Sequence, residues 1–120
     1  MRRQFGAVFG FCAAVLLSAT CAAEVDCWKV QKQAEERSAG FYPRRSYSVG
    51  GKGRLYFHSA PDTGCRFKDI FVIPGDSLVV YSSFNEWYEV MYINPKTGED
   101  FSGWVRSERL KFSGTLGPSE

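Results

Sequence analysis

The chain has 120 residues, 44% of them hydrophobic, with fifteen basic and thirteen acidic side chains and a single histidine. This length suits one domain, and one histidine excludes both the His-Glu-x-x-His zinc pattern and His-rich ligand sets. A formal net charge of +2 gives no general argument for nucleic acid or anionic membrane as a partner.

Met1-Arg2-Arg3-Gln4 is followed by an apolar run from Phe5 to Ala19 and then by Thr20, Cys21, Ala22 and Ala23. A positive start, an apolar stretch too short to cross a bilayer and a small-residue end form the pattern of a cleaved signal peptide over residues 1–23. The mature chain is therefore expected to begin at Glu24 and to work in the periplasm, with no stable membrane insertion after cleavage. A retained anchor and lipidation at Cys21 are the alternatives, although Thr20 and Ser18 fit a lipid-attachment pattern badly. Loss of Arg2 and Arg3 leaves thirteen basic against thirteen acidic residues, so any positive patch must be local.

Cys12 and Cys21 leave with the leader, and Cys27 and Cys65 remain. In an oxidising compartment two lone cysteines of a small domain are expected to pair. Closing a loop of that length stabilises by about 4 kcal/mol in the chain-entropy description. There is no Cys-x-x-Cys to activate a thiol, so the pair reads as a staple rather than as a redox couple.

Residues 24–53 are expected to hold one helix and a connector. Asp26 can cap a helix over Asp26 to Ser38, with Cys27, Val30 and Ala34 on one stripe and Gly40 as its stop. Phe41 to Gly53 is rich in turn formers and reads as irregular. Arg44, Arg45, Lys52 and Arg54 lie there near Tyr42 and Tyr47, a mixture that binds phosphate or anionic sugars but is also common in solvated loops. From residue 54 the texture changes to short β-branched and aromatic runs: Arg54 to Ser59, Lys68 to Ile73, Ser77 to Ser82, Trp87 to Ile93 and Gly103 to Val105. Pro74-Gly75 suits a type II turn, and Asn94 to Gly98 turns the chain between two strands. Ser107 to Leu110 reads as one helical turn, and residues 113–120 as a flexible tail.

Over about Arg54 to Phe112 the order of these pieces resembles the bacterial SH3-like (SH3b) family. The resemblance rests on Leu55-Tyr56-Phe57-His58-Ser59-Ala60-Pro61, Gly75-Asp76 followed by Leu78-Val79-Val80, Trp87-Tyr88-Glu89-Val90, and Gly103-Trp104-Val105 followed by Leu110. It implies a mainly β fold: a small barrel of about five strands over 54–112, preceded by one N-terminal helix. It also implies that Val90 is core. Alternation then sends Trp87 to the opposite face, where the family places a ligand groove with Trp104 alongside. Trp87, Trp104, Arg106, Arg109 and Tyr56 are the expected ligand-binding residues. Arg106 and Arg109 stand where proline-peptide binders carry a proline and a tyrosine, which argues against polyproline recognition. The alternative is that both tryptophans pack against the helix.

Other chemistries find little support. His58 reads as a strand residue with a local hydrogen bond. Ser59, Asp62 and Asp69 are available for a triad, but nothing resembles a nucleophile elbow. Glu99 and Asp100 are adjacent on a strand and point to opposite faces, a poor carboxylate dyad. The residues thus point to a non-catalytic binding module without cofactor or metal, recognising a cell-wall glycopeptide or an envelope protein. The alternative is an inhibitor or immunity protein that neutralises a periplasm-acting toxin or hydrolase.

Overall fold

The computed structural model of the protein describes residues 24–115. The expected leader with its cleavage site and Cys21 lies outside them, as do residues 116–120. The helix α1 spans Cys27–Arg37, and the Asp26 side chain accepts the Lys29 amide at its start. Gly40 is not its stop: Ser38 is already extended, and the chain runs straight into a strand.

Seven strands follow: β1 (Ala39–Val49), β2 (Leu55–His58), β3 (Arg66–Val72), β4 (Ser77–Phe84), β5 (Trp87–Ile93), β6 (Asp100–Arg106) and β7 (Leu110–Thr115). They pair antiparallel in the order β3-β2-β6-β5-β4-β1-β7. Short 3-10 turns precede β3 (Thr63–Cys65) and β7 (Ser107–Arg109). Among the described residues no helix is long and apolar enough to cross a membrane.

The sheet has two strands more than expected, and both come from segments read as irregular. Residues 41–49 are not a connector, because β1 lies between β4 and β7 and turns Tyr47 and Val49 into the core. Its polar first half hides the pattern: from Gly40 to Arg45 the pairing skips from Ser82 to Val80, so four residues around Pro43, which has no N–H to donate, bulge against Tyr81. Likewise Ser113–Thr115 belong to β7 rather than to a free tail, and the Ser113 hydroxyl donates to the Ser46 carbonyl oxygen. A boundary at residue 53 therefore divides one sheet.

Two turns form as expected. Gly75 has φ +97°, and the Asp76 amide donates to the Ile73 carbonyl. The Asn94 side chain accepts the Lys96 and Thr97 amides between β5 and β6.

Strand alternation divides the apolar residues into two clusters. Tyr47, Val49, Leu55, Phe57, Val72, Leu78, Val80, Val90 and Val105 form the main core. They come from β1 to β6, and half-buried Leu110 of β7 packs against them, so all seven strands border this core. Ala34, Trp87 and Trp104, with Phe84 against them, form a second cluster on the outer face. The Cys27–Cys65 disulfide ties the start of α1 to the turn between β2 and β3, with Cα atoms 5.8 Å apart.

Candidate functional site

Alternation does place Trp87 opposite Val90, but the outer face there is roofed by α1. Trp87 is 6% and Trp104 1% exposed, so the expected open tryptophan platform is corrected to a packed one. Ala34 presses on the pair, and the Trp104 indole N–H donates to Gln31 Oε1 at 2.7 Å. The physical reason is the helix register: Ala34 and Gln31 are three apart, on the side of α1 that faces the sheet.

His58 completes this cluster. Its ring meets Trp87 edge to face at 4.7 Å, and its Nδ1 lies 3.1 Å from the Trp104 carbonyl oxygen. Burial holds its imidazole below the usual histidine range, and the nearby Arg66 and Arg106 charges act the same way. Ser59 Oγ faces the Cys65 carbonyl, and the Asp62 carboxylate accepts the Gly64 amide. Of the candidate triad residues, His58, Ser59 and Asp62 are thus engaged with backbone rather than with one another, and Asp69 is exposed on β3.

The two expected rim arginines have structural partners. Arg106 lies over Trp87 at 5.2 Å and pairs with Glu86 at 3.1 Å and Glu108 at 3.6 Å. Arg109 is turned away from the tryptophans. Its guanidinium donates to the carbonyls of Gly50 and Gly53, both at 2.7 Å, and so clasps the loop between β1 and β2 against the end of β6.

Tyr56 remains accessible, and the strand pairing surrounds it with partners that alternation alone does not reveal. It lies opposite Phe71 across β2 and β3, with ring centroids 5.5 Å apart. Arg54 lies over the Phe71 ring at 4.3 Å and Arg66 over the Tyr56 ring at 4.4 Å. The result is a ladder of guanidinium, ring, ring and guanidinium on the outer face of this hairpin. Arg54 also donates to the Tyr56 hydroxyl. Among the described residues Arg106 is the one guanidinium in an ion pair, so Arg54 and Arg66 carry charge with no carboxylate within 4.0 Å. Stacking fixes each guanidinium plane and leaves N–H donors at its edge, the arrangement that grips carboxylate or phosphate in bidentate fashion.

The basic patch expected between Arg44 and Arg54 is divided. Arg54 belongs to the ladder, while Arg44 lies over Tyr81 and Arg45 over Phe41, at 4.6 and 4.3 Å. Tyr47 is buried, whereas Tyr42 at the β1 bulge is 94% exposed. Arg54 and Tyr56 share a face by their two-residue spacing, a signal present in the sequence. Phe71 and Arg66 join them only through the strand register.

Compared with protein-family models, with curated proteins and with solved structures, the chain matches none of them.

Proposed function

We propose that the protein is a non-catalytic binding module of the cell envelope, SH3-like in kind, that holds a carboxylate-bearing cell-wall glycopeptide on the outer face of β2 and β3. The observation that carries this reading is the ladder of Arg54, Phe71, Tyr56 and Arg66, two unneutralised guanidiniums held over two rings. With the ring faces occupied by guanidinium, the surface offers donors to an oxyanion rather than a bare aromatic shelf to a sugar. The stem peptides of a bacterial wall supply such carboxylates, and the disulfide suits an oxidising compartment. The meander of β4, β5 and β6 and the turn before β7 support the SH3-like comparison.

Sedimentation with purified sacculi tests the reading. Wild type should pellet with them, and Arg54→Ala together with Arg66→Ala should weaken binding at least about tenfold, or about 1.4 kcal/mol. Equal pelleting of wild type and the double variant, or none by either, refutes it. Tyr42 favours a second reading. An exposed tyrosine beside stacked arginines is the composition of a protein-interface anchor, and fits an inhibitor or immunity role. Tight one-to-one capture of a single envelope or toxin protein, lost in Tyr42→Ala, would favour it.

A further inference from the structure

The outer face does not stop at the ladder. Tyr56 and His58 are two apart on β2, His58 pairs with Trp104 on β6, and His58 touches Trp87. One aromatic strip thus runs from Phe71 to Trp87, and α1 covers only its tryptophan end.

That cover is thin along its length and secured at its two ends. Of the eleven residues of α1 only Ala34 is buried, and Gln31 supplies its one side-chain hydrogen bond to the sheet. Trp28 is 70% exposed, and Lys29, Lys32, Glu35 and Glu36 face solvent. At one end the helix is fixed by the Cys27–Cys65 bond, at the other by Ser38, which leads into Ala39 paired with Ser83. A helix this short does not hold itself in water without such support.

We infer that α1 is a strap, released by a dithiol reductant, that hinges at Ser38 and conceals the tryptophan half of the binding face. In the releasing step a thiolate of the reductant attacks Sγ of half-buried Cys27, the Cys27–Cys65 bond breaks, and Cys65 leaves as a thiolate that takes up a proton. The second thiol of the reductant then resolves the mixed disulfide. Two electrons pass to the protein, Cys27 and Cys65 end as thiols, and the reductant ends as a disulfide. Freed at its N-terminus, α1 swings away and frays, while the main core, which includes no residue of α1, stays closed. The strip then extends from Arg54 to Trp87.

This deepens the reading of the ladder as a binding face, yet its test needs no ligand, so either can fail alone. The Trp28→Phe protein, whose fluorescence reports only Trp87 and Trp104 among its tryptophans, is treated with dithiothreitol. Emission should shift to the red, acrylamide quenching should rise severalfold, and α1 amides should exchange at least about tenfold faster. The amides of Val80, Val90 and Val105 should still exchange far more slowly than those of α1, although loss of the cross-link lowers the stability of the whole fold. Unchanged emission and exchange after verified reduction overturn the inference, because the helix then holds without its clamp. Strand amides that exchange as fast as those of the helix overturn it equally, because helix and sheet then open only as one unit. The Cys27→Ser, Cys65→Ser double variant should reproduce the reduced state without any reductant.

Discussion

Replacing Trp87 by alanine separates a packed tryptophan from a ligand platform. The side chain is 6% exposed and is enclosed by Ala34, Trp104, Phe84, the His58 ring and the Arg106 guanidinium. Truncating a buried tryptophan costs about 3 to 5 kcal/mol, through lost burial and the cavity left behind. Small domains have roughly 5 to 15 kcal/mol in total, so the variant should stay folded at low temperature while its Tm falls on the order of 20 °C. Trp28→Ala, at a 70% exposed position on the helix, is the internal control and should change stability by no more than about 0.5 kcal/mol. Urea and thermal unfolding of the two variants, followed by circular dichroism, provide the comparison. A Trp87→Ala protein as stable as Trp28→Ala refutes the burial argument, and with it the roof that α1 forms over the outer face.

Cys65→Ser should lower the urea midpoint by up to about 4 kcal/mol in stability, through the 38-residue separation it leaves open, with the strand signature retained; an unchanged midpoint contradicts this. The lowered His58 pKa fixes a pH dependence: below the ordinary value of 6.5 the unfolded chain takes up a proton that the folded one resists, so stability should rise with pH up to about 6.5 and then level off. Urea midpoints between pH 5 and 8 check the sign, and His58→Asn should flatten the profile. Gly51→Ala should cost about 1 to 3 kcal/mol, because Gly51 has φ +75° and an added Cβ lies 2.5 Å from Arg109 Nε; a wild-type Tm would show that the Arg109 clasp is dispensable.

The parts of the fold that repeat a simple local rule were legible. The alternation of Trp87 to Ile93 matches β5 residue for residue, Asp26 caps α1, and Cys27 pairs with Cys65. What escaped depends on partners distant in sequence. β1 carries arginines, a proline and a tyrosine in its first half, and becomes a strand because β4 and β7 receive it on either side. The same limit governs the site. Alternation established that Trp87 faces away from Val90, but not that α1 covers that side. Tyr56 was a candidate, but the pairing of Phe71 with it, after a shift of register between Tyr56 and His58, is set by the irregular path of β3. The chain position of Arg109 suggests a binding rim, but the direction of its guanidinium is set by the Gly50 and Gly53 carbonyls, distant in sequence.

The place of β1 in the strand order also governs when the molecule can fold. Tyr47 pairs with Leu78 on one side and with Phe112 on the other, so β1 waits for one partner from the middle of the described residues and another from their last strand. Closing such long loops before any contact rewards them slows folding, toward milliseconds to seconds for sheet proteins of this kind. A growing chain can make the β4, β5 and β6 meander from neighbouring segments, but the sheet has no finished edge until Leu110–Thr115 arrives. Up to that moment β1 offers an unpaired side, and a chain that ends before residue 110 exposes it permanently, as a template for another strand.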